Sequence, residues 1–215
     1  MAQHVPVLLN VKGRRCVVVG GGAVALRKVT TLREKGAEVR LVSPEADSKL
    51  ADLCAWGEIA WEKRAFEKAD LADAFLVVAA TDDPAVNAAV AKEARARKAL
   101  VNVVDDPEGS DYQVPSYFED GGLLIAVSTS GQSPAVARTL RRMIQDYLGT
   151  TFAEGLRIIG AFREKEVKTA IASAKDRVRF WEEAVTPALL NLVRKGKLDD
   201  LKRKLEDTLK KFQGK

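Results

Sequence analysis

The chain has 215 residues, of which 47% are hydrophobic and 30% charged, with two cysteines and a single histidine. This is the ordinary composition of a folded soluble protein with one domain and an extension, or with two small domains. No apolar run approaches the ~18 residues that span a bilayer, and the start MAQHVP lacks the basic and apolar regions of a secretory signal. We therefore expect a cytoplasmic protein without membrane contact, whose cysteines are reduced packing residues.

The formal net charge of +5 is distributed unevenly along the chain. From Thr151 onward there are sixteen basic and ten acidic residues, which leaves nineteen basic against twenty acidic in the first 150 residues. The excess therefore lies in the C-terminal segment, where the charges from Lys195 to Lys211 are typical of a solvated helical face. We predict no nucleic-acid partner.

The stretch RCVVVGGGAVALRK predicts a strand, a glycine turn and a helix in succession. Cys16 to Val19 is a valine-rich run typical of a buried strand, and residues 23–35 have helical periodicity. Such a turn presents the free N–H groups and positive dipole end of the helix to a phosphate. Gly20 permits the tight turn, Gly22 lets a pyrophosphate approach the backbone, and Ala25 is the third small residue of G-x-G-x-x-G/A. The glycines alone also fit a purely structural turn.

Four further strands alternate with helices up to residue 105. Gly36 closes the first helix, and we predict strands at 38–42, 59–64, 75–80 and 100–104, with helices at 47–56 and from Pro84 onward. This alternation predicts an α/β, Rossmann-like, doubly wound parallel sheet. The tip of the second strand has Ser43 and, two residues on, Glu45, a pattern that does not settle NAD against NADP.

Polar residues at the carboxyl ends of these strands are candidate ligands, because doubly wound sheets bind ligands at that edge. Asp83 is accounted for as a helix cap. Asp105 follows the fifth strand and is the leading candidate for proton transfer beside a nicotinamide ring, although Asp105-Asp106-Pro107 also fits a simple turn. We predict cofactor contacts from Gly20, Gly22, Ala23, Val24, Ser43, Pro44, Thr81 and Asp82.

The alternation stops after residue 111. Residues 112–118 and 123–128 are predicted as two strands with no helix between them, and two strands alone are not stable. We therefore predict a homodimer built on this small β-plus-helix region. A loop at 129–134 then leads to a helix that Ser133 caps and Gly149 ends.

The remainder of the chain is predicted to be helical. Three apolar stripes at helical spacing there indicate core or interface, and we predict a C-terminal helical domain. The predicted domains are residues 1–111, which bind the dinucleotide, residues 112–149, which form the dimerisation and substrate region, and residues 150–215.

The single histidine, His4, excludes several kinds of chemistry. It lies near a terminus and is expected at the surface, so no Ser-His-Asp or Cys-His arrangement and no His/Cys zinc site can be built. We predict no metal site, and any catalysis must use carboxylates together with a bound cofactor.

Two basic clusters have unusual positions. Arg27 and Lys28 lie in the first two turns of the first helix, where cations oppose the helix dipole, and an anion bound there would explain them. Arg138, Arg141 and Arg142 on the helix after the second hairpin strand would extend such a patch. Both clusters also fit an ordinary solvated surface.

Four linked motifs carry a resemblance to a known family. GGGAVALRK (20–28), AATDD (79–83), NVVDDP (102–107) and STSGQSP (128–134) occur in this order and spacing. The chain resembles the precorrin-2 dehydrogenases, the N-terminal module of sirohaem synthases and the fungal dehydrogenase/ferrochelatases over residues 5–145. The helices after about residue 150 match only as a variable helical extension.

The resemblance implies NAD-dependent oxidation of precorrin-2, a tetrapyrrole, to sirohydrochlorin by a homodimer. It assigns the functional aspartate to Asp105 and implies that some members also insert iron into sirohydrochlorin. The basic residues would then contact an anionic substrate. The substrate contacts so predicted are Arg27, Lys28, Ser128, Thr129, Gly131 and Arg138.

One departure and two alternatives qualify this expectation. Asp120-Gly121-Gly122 stands where relatives often have Arg-Gly-Pro, which puts substrate contact at that turn in doubt. A non-catalytic dinucleotide-sensing module would share the glycine turn and the sheet but would need no tetrapyrrole site. A chelatase in which dehydrogenation is secondary is the third possibility.

Overall fold

The computed structural model describes residues 4–213, which divide into two compact units after Val114. Residues 1–3 and 214–215, which the predicted first and third domains include, lie outside the described residues. The first unit contains β1 (Arg15–Val19), α1 (Ala23–Glu34), β2 (Glu38–Val42), α2 (Ser48–Ala55), β3 (Ala60–Glu62), a 3-10 turn (Lys68–Leu71), β4 (Leu76–Ala79), α3 (Pro84–Ala96) and β5 (Leu100–Val103).

The first unit is built on a parallel five-stranded sheet of order β3-β2-β1-β4-β5. The predicted Rossmann-like class is confirmed. The order reverses at β1, so the crevice at the carboxyl ends of β1 and β4 is the topological switch point where such sheets bind ligands. β3, β4 and β5 are three, two and one residues shorter than predicted, in that order.

Continuous apolar runs form these strands because both faces of the sheet are covered. β1 and β4 alternate their side chains between two apolar clusters: Val17 and Val77 lie in one, Val18 and Val78 in the other. Cys16 is buried in the second cluster, as expected of a packing residue, and Cys54 is half-buried; both are free thiols. Burial raises the pKa of the Cys16 thiol to about 11, which keeps it protonated.

The helix ends follow local capping chemistry. The side chain of Asp83 accepts the Ala85 N–H at 2.8 Å, and that of Ser133 accepts the Val136 N–H at 3.3 Å, so both predicted caps are confirmed. Gly149 ends its helix with φ 73°, a left-handed conformation that suits glycine.

The second unit begins with the hairpin of β6 (Ser116–Asp120) and β7 (Leu123–Val127), followed by α4 (Pro134–Leu148). The predicted first strand, 112–118, was wrong at both ends. Residues 111 and 112 instead contact β5, where the Asp111 N–H donates to the Val101 carbonyl at 2.8 Å. Gly121 and Gly122 both have positive φ and form the two-residue turn of the hairpin.

Helices complete the second unit, as predicted. They are α5 (Phe152–Phe162), a π-helical turn (Arg163–Val167), α6 (Lys168–Ala170), α7 (Ala174–Ala184), α8 (Pro187–Arg194) and α9 (Leu198–Gln213). Their apolar side chains meet in one cluster that includes the buried Phe180, although Val185, after α7, is 38% exposed. Among residues 4–213, no helix is long and apolar enough to cross a membrane.

Candidate active site

The glycine loop between β1 and α1 has two packed residues and one open residue. Gly20 has φ 117°, and a Cβ there would overlap the Ala80 carbonyl oxygen beyond β4. A Cβ on Gly21 would overlap the Glu45 carbonyl oxygen beyond β2, whereas a Cβ on Gly22 would meet no atom of the described residues within 4 Å. The loop therefore fits tightly between two strand ends and leaves its Gly22 backbone open to a ligand.

At the N-terminus of α1, no side chain among the described residues caps the backbone N–H groups. Gly22 is the N-cap, no side chain caps the helix, and its first turn, which includes Ala23 and Val24, contains no acidic residue. These donors and the positive end of the dipole face the open side of the loop. Among the described residues this is the arrangement that best fits a pyrophosphate.

The tip of β2 is held through its backbone. The Ser43 carbonyl accepts a hydrogen bond from Trp61 Nε1 at 2.9 Å, and the Ser43 N–H donates to the Glu62 carbonyl at 3.2 Å. Ser43 is buried and Pro44 is exposed. The predicted cofactor contacts at this tip therefore lie on a rigid edge beside the glycine loop.

Thr81, after β4, is bound by a residue that the sequence analysis missed. The buried side chain of Asn87 accepts from the Thr81 hydroxyl at 2.8 Å and from its N–H at 3.1 Å, and donates to its carbonyl at 2.9 Å. Thr81 thus fixes the start of α3, while the neighbouring Asp82 is exposed. An asparagine in the first turn of a helix is a weak sequence signal, because only the fold brings it back to Thr81.

Asp105 lies just beyond the carboxyl end of β5 and is exposed. Its backbone has φ 60°, a left-handed conformation that residues with a Cβ rarely adopt. Within residues 4–213 its carboxylate makes no hydrogen bond or ion pair, so it is available to a substrate proton. The adjacent Asp106 differs, because its carboxylate accepts the Gly109 N–H at 2.8 Å and shapes the turn.

The two basic residues of α1 have different environments. Arg27 is exposed, as a ligand for an anionic substrate would be. Lys28 is half-buried, and its Nζ donates to Asn102 Oδ1 on β5 at 3.0 Å. Burial, followed by the charge of Arg27, lowers the pKa of Lys28. The solvated-surface alternative therefore does not apply to Lys28.

The predicted substrate loop lies in the second unit and is organised by its own hydroxyl groups. Thr129 Oγ1 accepts the Ser133 N–H at 3.1 Å, and Ser128 Oγ accepts the Ser130 N–H at 3.1 Å. Gly131 has φ 82°, and its loop leads into α4, on which Arg138 is exposed. Ser128, Thr129, Gly131 and Arg138 therefore lie within one loop and the first two turns of one helix.

The first unit brings the predicted cofactor contacts and Asp105 to the same edge of one sheet. The glycine loop, the β2 tip, Thr81 and Asp105 follow β1, β2, β4 and β5, which are parallel and in register. An open backbone cradle and an uncapped helix fit a dinucleotide, and a carboxylate without a partner fits a proton acceptor. Among residues 4–213 no group of three or more potential ligands could hold a metal ion.

Three family models match the chain. Residues 7–116 match the model described as putative NAD(P)-binding, 120–147 the sirohaem biosynthesis protein central region, and 156–209 the sirohaem synthase dimerisation region. The chain belongs to the putative NAD(P)-binding family, whose model covers more than half of it. The two regions that follow match models that are named for sirohaem biosynthesis proteins.

Relatives that are similar along most of this chain are named siroheme synthases. The chain is 38% identical over 97% of its length to siroheme synthase 1 of Serratia proteamaculans, and 39% identical over 96% to siroheme synthase of Methylobacillus flagellatus. It spans 44% of the length of each relative. The solved structure of "SirC, precorrin-2 dehydrogenase" has a TM-score of 0.77, 24% identity, and covers 95% of this chain and all of its own, which shows a shared fold.

The C-terminal helices differ from the sequence expectation. They were expected to match the family only as a variable helical extension, but residues 156–209 match a model of their own. Helical stripes alone could not reveal this, because the same spacing serves a monomer core and an interface.

Proposed function

We propose that this chain is a dehydrogenase that oxidises precorrin-2 to sirohydrochlorin with NAD as hydride acceptor, in the cytoplasm. The observation that carries the proposal is the sheet edge where the open Gly22 backbone follows β1 and the unpartnered Asp105 carboxylate follows β5, with β4 between these two strands. The family supports NAD(P) binding, and the names of the relatives and of the similar structure support the tetrapyrrole substrate.

Two backbone features would hold the cofactor. Gly22 would receive the pyrophosphate, because no described side chain or backbone fills the space above it. The β2 tip at Ser43 and Pro44 would lie beside the adenosine ribose. NAD, when bound, supplies the acceptor for a hydride.

Asp105 would remove the proton that accompanies the hydride. Loss of one hydride and one proton from the substrate accounts for the two-electron oxidation. Because Asp105 is exposed, it can pass this proton to water and return to its charged form. The fixed sheet edge supplies the positioning on which such a reaction depends.

Cationic side chains would bind the carboxylates of the tetrapyrrole. Arg27 on α1 and Arg138 on α4 are exposed and fit this role. The hydroxyl groups of Ser128 and Thr129 and the backbone of Gly131 would contribute neutral hydrogen bonds from the loop before α4.

We also propose a homodimer, formed through the second unit. Apolar side chains of α4 are exposed there, and a family model named for dimerisation matches residues 156–209. The hairpin of β6 and β7 has only two strands, and a partner would complete it.

The experiment is to incubate the purified protein with precorrin-2 and NAD. We expect one molecule of NADH to form for each molecule of sirohydrochlorin, both measured by their absorbance. Absence of both products would refute the dehydrogenase. NAD binding without affinity for precorrin-2 or sirohydrochlorin would instead favour the dinucleotide-sensing module.

Chelatase activity has its own test. Iron or cobalt insertion into sirohydrochlorin, measured without NAD, would show a second activity in the same chain. Insertion without any NAD-dependent oxidation would make chelation the main function.

A further inference from the structure

Lys28 lies on the cofactor helix but its ammonium group binds the sheet. Its Nζ donates to Oδ1 of Asn102, a residue of β5, at 3.0 Å. Lys28 follows Ala23 by five positions, which places its backbone about 7.5 Å along α1 from the first residue of the helix. The half-buried amine is therefore committed to a side chain of β5.

Lys28 determines which way the Asn102 amide faces. An ammonium group can only donate, so the amide oxygen must face Lys28 and the NH₂ group must face the other side. There Nδ2 donates to the Tyr112 carbonyl at 3.2 Å and to Ser110 Oγ at 3.4 Å. Asn102 is buried, so these partners replace water.

The Ser110 hydroxyl connects the two sides of the turn that carries Asp105. Its Oγ accepts the Val103 N–H at 2.9 Å and donates to the Asp106 carbonyl at 2.8 Å. These two backbone groups flank Asp105, whose left-handed φ is unfavourable for a residue with a Cβ. Because the Asp105 carboxylate has no partner within residues 4–213, its placement depends on this backbone, which fixes the direction of the Cα–Cβ bond, and on the side-chain rotamer.

We propose that Lys28, Asn102 and Ser110 form a positioning bracket that holds Asp105 in its working orientation. The proposal rests on the proposed function, in which Asp105 accepts the substrate proton. It makes Lys28 a positioning residue, in place of the substrate contact that the sequence predicted. The bracket also connects the helix that faces the cofactor to the residue that takes the proton.

The segment that contains Ser110 is also attached to the rest of the first unit by hydrogen bonds that do not involve Lys28, so the bracket can be removed without unfolding the segment. Arg95 on α3 donates to the Asp111 carboxylate at 2.9 Å and to the Gly109 carbonyl at 2.8 Å. Asp111 in turn accepts the Val101 N–H at 3.1 Å. Loss of Lys28 therefore leaves the segment attached to β5 and α3, and its effect stays local.

The first experiment measures amide hydrogen exchange of residues 103–112 in Lys28→Met and Ser110→Ala. We expect the Val103 amide and the turn to exchange faster in both variants, and Lys28→Arg, which keeps a donor, to restore protection. Lys92→Met, which removes an exposed lysine from α3, is the matched control and should exchange as the wild type does. Unchanged exchange in Lys28→Met would overturn the bracket.

The second experiment asks whether the bracket acts through Asp105. We expect Lys28→Met to lower kcat for precorrin-2 oxidation roughly 10- to 100-fold, while the KM for precorrin-2 and the Kd for NAD stay within about twofold. In an Asp105→Asn background the same substitution should cause no further loss of kcat. An equal loss in both backgrounds would overturn the proposal, and so would a raised KM with unchanged kcat, which would make Lys28 a substrate ligand.

The two experiments separate this inference from the proposed function. A wild-type protein that does not oxidise precorrin-2 refutes the dehydrogenase. The exchange comparison still decides whether Lys28 holds the Asp105 turn.

Discussion

Three consecutive glycines in the loop after β1 have three different environments. Gly20 is restricted by the Ala80 backbone and by its φ of 117°, and Gly21 by the Glu45 backbone. Gly22 has φ −81°, which any residue can adopt, and faces open space. Gly20 and Gly21 therefore determine the shape of the loop, whereas Gly22 determines whether a ligand can approach it.

This separation predicts opposite outcomes for two neighbouring alanine substitutions. Gly22→Ala should change the free energy of unfolding by less than about 1 kcal/mol but weaken NAD binding by at least about tenfold, since the new methyl group occupies the approach of the pyrophosphate. Gly21→Ala should lower the free energy of unfolding by about 1–3 kcal/mol, because the methyl group overlaps backbone. Urea unfolding and NAD titration of both variants measure the contrast.

An unchanged Kd for NAD in a stable Gly22→Ala protein would contradict the account. It would mean that the open side of the loop is not where the dinucleotide lies.

Local rules account for the residues that the sequence identified, and non-local contacts account for those it missed. The Asp83 cap depends on an N–H group two residues away, and the φ of 117° at Gly20 is a property of that residue, so both are visible in the sequence. The contact between Lys28 and Asn102 joins residues 74 positions apart. The positions of Arg27 and Lys28 near the helix start indicated an anion site. Only the folded sheet shows that Lys28 instead forms a hydrogen bond to a side chain of β5.

At the scale of elements, the parallel strands were predictable because their burial on both faces demands continuous apolar runs. The first strand of the hairpin was not, because residues 111 and 112 have the same polar and aromatic character whether they pair in a hairpin or pack on β5. In the folded chain the Asp111 carboxylate accepts the N–H of Val101 on β5, so residues 111 and 112 pack against β5 and are not part of β6.

α4 has an apolar face that the described residues of its unit leave exposed. The helix packs on the hairpin, and its residue Ala137 is buried. Four apolar residues at spacings of four, three and four lie on another side: Val136, Leu140, Met143 and Tyr147 are 48%, 41%, 60% and 65% exposed. Such a stripe is typical of a contact surface.

We predict that this face mediates the homodimer. Leu140→Glu combined with Met143→Glu should convert a dimer to a monomer, because two buried charges without partners oppose association. Gln145→Glu, at an exposed position about half a turn of α4 away from this face, should remain dimeric. Light scattering after size-exclusion chromatography measures the mass of each variant.

A double variant that remains dimeric would exclude the α4 face. The interface would then lie elsewhere, with the helices of residues 156–209 as the next surface to test.

At the scale of the whole molecule, the chain combines a dinucleotide-type sheet with a second, mixed unit. The sequence predicted both classes of structure, because a glycine turn between strand and helix and long apolar stripes are strong periodic signals. The role of the C-terminal helices could not be predicted from their stripes, and a family comparison was needed to associate them with dimerisation.

The central claim is that the glycine loop and Asp105 serve one reaction at one edge of the sheet. It is tested most directly by Asp105→Asn, with Asp106→Asn as the matched control, because Asp106 already accepts the Gly109 N–H and an amide oxygen can do the same. The measurement is kcat for precorrin-2 oxidation beside the Kd for NAD. We predict that Asp105→Asn lowers kcat by roughly 10²- to 10⁴-fold with the Kd for NAD nearly unchanged, and that Asp106→Asn leaves both near the wild-type values. Wild-type turnover in Asp105→Asn would contradict the account.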